Sequence, residues 1–168
     1  MDAMKILWAP WRMKYIRRFE DREDNQCFFC KGVQQNKDRE NLILYRGRSC
    51  FIILNKYPYT SGHLMVAPYK HVGDLEKLSQ DEVCELMKLI ILSIKILRKE
   101  YKPSGLNIGA NIGRTAGAGV EDHVHFHIVP RWVGDTNFMP VISETKIIPE
   151  LPEETYDRLV KYFKEPPD

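Results

Sequence analysis

Apolar positions change their period several times along the chain, and each change marks an element. After Ser79, with Glu82 three residues on in capping-box spacing, Val83, Leu86, Met87, Ile90, Ile91, Ile94 and Leu97 recur at helical intervals. They predict one long amphipathic helix that ends before Pro103. Arg48 to Leu54 is rich in Phe and Ile and stops at Asn55-Lys56-Tyr57-Pro58, the pattern of a buried strand closed by a turn. His63 to Pro68 reads as its neighbour, joined through the hairpin-scale loop Pro58 to Gly62. Leu106 to Asn111 and Val124 to Pro130 are two further short strands, separated by the loop Gly113-Arg114-Thr115-Ala116-Gly117-Ala118-Gly119. Pro152 to Phe163 predicts a second, shorter helix. Hairpin strands around one dominant helix define an α+β class with a mostly antiparallel sheet.

With 168 residues and no repeat or Gly/Ser linker, the chain reads as one domain with terminal extensions. Residues 1–26 form an aromatic and basic arm carrying Trp8-Ala9-Pro10-Trp11-Arg12 and Tyr15. Residues 27–142 form the domain, and residues 143–168 a C-terminal extension with a helix. A balance of 25 basic against 23 acidic residues leaves a net charge of +2, which argues against nucleic acid or a membrane as partner and leaves small anions open. The apolar stretch Leu86 to Leu97 is broken by Lys88, Ser93 and Lys95, and Met1-Asp2-Ala3-Met4 lacks the apolar core of a signal peptide, so a cytoplasmic protein is expected. Cys50 and Cys84 sit among apolar residues and read as core. Cys27-Phe28-Phe29-Cys30 has a spacing that suggests metal or redox chemistry.

The densest chemistry lies in His123-Val124-His125-Phe126-His127. On extended chain the three imidazoles share one face while Val124, Phe126 and Ile128 take the other. Two chemistries use such a face. A metal could take all three rings. Alternatively, one neutral imidazole attacks phosphorus, its second nitrogen hydrogen-bonded so that the correct tautomer is presented. The glycine loop favours the second, because backbone N–H groups at Gly113, Gly117 and Gly119 are unhindered as an anion cradle.

These residues resemble the histidine triad (HIT) superfamily of nucleotide hydrolases and transferases. His123 to Val129 fits its His-φ-His-φ-His-φ-φ pattern at every position, with Asn55, His63 and Asn111 in register upstream. The resemblance implies about five antiparallel strands with helices on one side, and a homodimer through the long helix and an adjoining strand. It makes His125 the nucleophile that becomes a nucleotidyl-histidine, His127 a phosphate contact, and Asn111 a donor to phosphate oxygens. It also makes Asn55 the ribose contact, Ile53 a wall for the base, and His63 a support behind the site.

Outside the shared domain, Trp8 to Tyr15 and Gly134 to Val141 resemble the branch containing bacterial diadenosine tetraphosphate (Ap4A) phosphorylases. That likeness implies a dinucleoside polyphosphate or mononucleotide as small-molecule partner, cleavage of Ap4A by phosphate to ATP and ADP, and phosphate contacts at Trp132 and the glycine loop. One departure stands out: Ala118-Gly119 occupies the place where that branch has Gly-Ser, which leaves phosphate and water both open as acceptor. A phosphoramidase and a non-catalytic nucleotide-binding module are the alternatives. The thiolates of Cys27 and Cys30 need two more ligands for tetrahedral zinc, and the resemblance supplies His71 and His123, making a structural Zn2+ site.

Overall fold

The computed structural model describes residues 27–136 and 147–164; the arm Trp8 to Tyr15 and the segment Phe138 to Val141 lie outside the described residues. The elements are α1 (Phe28–Gln34), β1 (Ile43–Arg46), β2 (Cys50–Leu54), β3 (Leu64–Pro68), α2 (Gln80–Tyr101), β4 (Gly105–Ala110), β5 (Phe126–Arg131) and α3 (Pro152–Lys164). All five strands pair antiparallel in the order β1-β2-β3-β5-β4. The α+β class expected from the pattern is the class observed. Strand β1 and helix α1 carry too few periodic residues to announce themselves in the sequence.

The expected start of α2 is present in full: the Ser79 side chain accepts from the Glu82 N–H, and the Glu82 carboxylate accepts from the Ser79 N–H. Left-handed Lys102, ahead of Pro103, ends the helix. Its apolar residues divide between two faces. Leu86, Leu89, Ile90, Ile96 and Leu97 are buried against the sheet, and buried Ser93 bonds its hydroxyl back to the Leu89 carbonyl. Val83, Met87 and Ile91, spaced four residues apart, are 43%, 49% and 49% exposed, so the periodic stripe is not a single core face. Cys50 is buried as expected, but Cys84 is exposed, because it lies on the α2 surface turned from the sheet.

Strand alternation sorts the sheet into two faces. Cys50, Ile52, Leu54, Leu64, Val66 and Ile128 pack beneath α2 and α3. Phe51, Ile53, Met65 and Ala67 face the other way, where α1 lays Phe29 on them. His63 and the triad fall on this second face, so one strand period supplies both core and site.

The histidine segment departs from a regular strand at its start. The β3–β5 ladder runs from Leu64↔Ile128 to Val66↔Phe126 and stops there, so His123 and His125 precede the strand. Pro68 has no N–H to continue the ladder. Its carbonyl instead accepts from the His123 ring, and the Val124 N–H turns to the Val72 carbonyl at 2.7 Å.

Candidate active site and metal cluster

Backbone groups determine which nitrogen of each imidazole carries the proton, since a carbonyl only accepts and an N–H only donates. His125 is 5% exposed, and its Nδ1 lies 2.8 Å from the His123 carbonyl oxygen, so Nδ1–H donates and Nε2 keeps its lone pair. Burial holds the His125 pKa below its ordinary 6.5, leaving the ring neutral at pH 7.

His127 is oriented by a relay. The Tyr59 N–H donates to His63 Nδ1 at 3.1 Å, which makes His63 Nε2 the protonated nitrogen; it stands 2.9 Å from His127 Nδ1. His127 therefore accepts at Nδ1 and carries its proton on Nε2. Burial, together with nearby His125, pushes its pKa down to about 4, so it is a neutral hydrogen-bond donor at pH 7. The neighbouring rings thus present opposite ends: a lone pair from His125 and an N–H from His127, with ring centroids 4.9 Å apart. His63, which reads from sequence as a support, is wholly buried and fixes the tautomer of His127.

Other expected residues take distinct positions. Asn55 Oδ1 accepts from the Tyr57 N–H at 2.9 Å, which orients its side-chain amide. Asn111 follows β4, where Gly109 pairs with His127, and its amide donates to the Gly117 carbonyl at 3.3 Å. Gly113 and Gly117 adopt positive φ of 80° and 91°, which admits the tight turn Arg114–Ala116 between them. That turn uses the Gly117 N–H internally, to the Arg114 carbonyl at 2.9 Å. Of the two glycines assigned to substrate, Gly119 has no such backbone bond in this turn. Ile53 is fully buried among Phe29, Phe51 and Met65, on the face of the sheet that carries the histidines. Trp132 stands five residues beyond His127, about 16 Å along extended chain. Its ring packs edge-on to Tyr101.

Cys27, Cys30, His71 and His123 converge, with one ligand atom from each within 4.8 Å of all the others. Cys27 Sγ and His71 Nδ1 each lie 3.3 Å from His123 Nδ1, and Cys30 Sγ lies 3.5 Å from His71 Nδ1. Because His123 donates Nε2–H to the Pro68 carbonyl at 2.8 Å, its Nδ1 lone pair points into the cluster. Burial and neighbouring Cys27 push the Cys30 thiol up to about 11, and burial, with the charges of His71 and His125, holds His123 down at about 4. Two thiols and two imidazole lone pairs facing one another suit a soft tetrahedral cation, which deprotonates the thiols and fills the space between them. These residues fit a metal.

Phe29 and Tyr59 escaped sequence reasoning. Phe29 lies 5.0 Å from the His123 ring and 4.9 Å from the His125 ring, centroid to centroid. Its position between the two cysteines was the available signal. Tyr59 acts through its backbone N–H, which no side-chain motif encodes.

A five-stranded antiparallel sheet presenting three such histidines beside a cysteine-histidine cluster defines a nucleotide-processing enzyme of the histidine triad class. The HIT domain pattern matches residues 36–133, and the chain belongs to the HIT family. It is 38% identical over 159 residues to the AP-4-A phosphorylase of Mycobacterium tuberculosis, covering 92% of this chain and 82% of that protein. Among solved structures, a histidine triad nucleotide-binding protein of Sulfolobus tokodaii is 33% identical with a TM-score of 0.64, covering 83% of this chain and 90% of its own. A zinc-bound histidine triad protein of Mycobacterium smegmatis is 25% identical with a TM-score of 0.66, covering 83% and 94%. No helix among the described residues is long and apolar enough to cross a membrane.

Proposed function

We propose that the protein cleaves dinucleoside polyphosphates of the Ap4A type by phosphorolysis, through a nucleotidyl-His125 intermediate. The observation that carries this reading is the 2.8 Å bond from His125 Nδ1–H to the His123 carbonyl, which leaves Nε2 as a free, neutral nucleophile. In the first step Nε2 attacks the α-phosphorus of one adenylate. A P–N bond forms, the bridging P–O bond breaks, and ATP departs with its oxygen hydrogen-bonded by His127 Nε2–H. The imidazolium charge that develops on His125 is stabilised by the Nδ1–H bond, which becomes charge-assisted. In the second step a phosphate oxygen attacks the same phosphorus, the P–N bond breaks, and ADP is released. Asn111 and the Gly119 N–H stabilise the phosphoryl oxygens as charge accumulates on them, and the Asn55 amide holds the ribose. The relative's activity supports Ap4A as substrate; Ala118-Gly119 before the triad makes water the competing acceptor.

Zinc is the ion proposed for the four-donor cluster. All four positions are filled by protein side chains, so its role is to tie α1 to the histidine segment, and no reaction step passes through it. A homodimer is proposed through exposed Val83, Met87 and Ile91 of α2 and Ile108 of edge strand β4. These apolar side chains, on a helix and on the outermost strand among the described residues, suit a second copy of the chain.

The test uses Ap4A with and without phosphate, with product identification. ATP and ADP formed only with phosphate support phosphorolysis; AMP at an unchanged rate replaces it with hydrolysis. His125→Asn should lose several orders of magnitude in kcat, because no nearby group substitutes for a covalent nucleophile. Turnover retained in that variant removes the reading altogether.

A further inference from the structure

Helix α1 spans seven residues, too few to hold itself together, so contacts to the rest of the domain determine where its side chains sit. It has two kinds of anchor. Cys30 lies in the helix and Cys27 at its N-cap, and both reach the metal-fitting cluster. Phe29, 1% exposed, fills the space between Phe51, His123 and His125. The backbone that presents the thiolates therefore also presents the aromatic wall beneath the nucleophile's ring.

His125 needs two restraints to aim Nε2. A hydrogen bond at Nδ1 fixes the direction of one ring edge but leaves the plane free to rock about that bond. The bond's acceptor is the carbonyl of His123, whose own ring faces into the cluster. The second restraint is the Phe29 ring, tilted 44° to the His125 ring with centroids 4.9 Å apart. One restraint comes from a cluster residue and the other from a residue lying between two cluster residues in the chain.

We propose that the Cys27–Cys30–His71–His123 cluster clamps the nucleophile from two sides, through the His123 carbonyl and the Phe29 ring, and that Phe29 is a positioning residue for His125. Metal occupancy then determines the attack geometry without the metal touching substrate. The inference rests on His125 being the nucleophile. A misplacement on the order of 1 Å costs about a hundredfold in rate, so loosening the clamp acts on kcat while leaving groups that touch the nucleotide in place.

The test is Phe29→Leu, which keeps an apolar residue in the pocket and removes the flat wall. Metal content per chain should match the unmodified protein, KM should stay within about threefold, and kcat should fall by roughly tenfold to a hundredfold. In 1H–15N spectra of the resting protein, the sharp Nδ1–H resonance of His125 should broaden or disappear. Leu159→Ala, on the opposite face of the sheet, is the control for lost packing; it should lower the melting temperature and keep kcat. A loss confined to KM, an unchanged kcat, or an equal kcat loss in the control overturns the proposal. Should Phe29→Leu fail to fold, the unmodified protein stripped by chelator gives the second readout. Its His125 Nδ1–H resonance should be lost while helical circular dichroism persists, and a resonance that stays sharp overturns the clamp. Failure of the clamp is separable from failure of the proposed function, since an inactive His125→Asn beside a fully active Phe29→Leu removes only the clamp.

Discussion

His63 Nε2 stands 2.9 Å from His127 Nδ1, and the Tyr59 N–H on the far side of His63 fixes which of the two rings donates. The relay runs from main chain to buried ring to the ring beside His125, so His127 keeps its proton on Nε2 near neutral pH.

Replacing His63 by Phe keeps an aromatic ring, somewhat larger than imidazole, at the buried position and removes the relay. His127 Nδ1 is then left without its donor, and the proton is free to move to that nitrogen. Losing a hydrogen bond to a buried group costs about 1–3 kcal/mol, which corresponds to roughly tenfold to a hundredfold in kcat. Steady-state kinetics with Ap4A should show the fall in kcat and little change in KM; an unchanged kcat contradicts the relay.

With zinc proposed for the cluster, stripping by chelator should destabilise the protein as well as slow it. A four-ligand site that ties Cys27 and Cys30 to His71 and His123 couples ion binding to folding. Protein purified without chelator should contain one zinc per chain by mass spectrometry, and Cys27→Ser should lower both that ratio and the melting temperature. A ratio near zero in the unmodified protein ends the zinc assignment.

Glu85 supplies a pH-dependent contribution to stability. Its carboxylate accepts from the Arg48 N–H at 2.6 Å and the Ser49 N–H at 2.5 Å, in the turn joining β1 to β2. Gly47 makes room for it, since a Cβ there would lie 2.7 Å from Glu85 Oε1 and 2.8 Å from the Cys50 carbonyl. Partial burial opposes ionisation, but the hydrogen bonds from Ser49 and Arg48 outweigh it and hold the pKa below the ordinary 4.5. A depressed folded-state pKa means that the contribution is present above the unfolded value and is lost as pH falls through the folded one. Glu85→Gln should therefore cost on the order of 1 kcal/mol at pH 7, since solvent screens the carboxylate and the Gln carbonyl can still accept one of the two bonds. The difference from the unmodified protein should shrink as pH drops below 4.5 in denaturant titrations; a gap independent of pH counts against the ionised contact.

The exposed stripe on α2 predicts the assembly state. Met87→Glu combined with Ile91→Glu places charge where two copies would meet, and burying unpaired charge in an apolar contact is unfavourable. Sedimentation should show a dimer for the unmodified chain and a monomer for the double variant. A monomer in both cases removes the proposed interface.

Much of the fold was legible because it depends on periodicity and local chemistry. The helical spacing and the Ser79–Glu82 capping box announce α2, apolar runs closed by a turn identify β2 and β3, and alternation identifies β5, each to within a few residues. Strand β1 was hidden: a positive φ at Leu42 precedes it and a register shift lies between Ile43 and Tyr45, so its four residues show no clean alternation. Periodicity also could not tell the buried from the exposed stripe of α2. Both are apolar, and only the sheet decides which side it covers.

The same division runs through the site. A family resemblance placed Asn55, His63 and Asn111 in register; sequence alone determined that three histidines alternate onto one face and that two cysteines stand three residues apart. These are matters of spacing along a chain of known period. Tertiary structure decided that His123 turns its Nδ1 to the cysteines while His125 turns its Nε2 outward. It also decided that His63 sets the tautomer of His127, that Phe29 lies against the His125 ring, and that Trp132 packs on Tyr101. The physical reason is that an imidazole's role depends on which nitrogen carries the proton, and here that is determined by the Pro68 and His123 carbonyls and the Tyr59 N–H. Pro68 and Tyr59 come from strands and loops that meet the histidine segment only when the sheet forms.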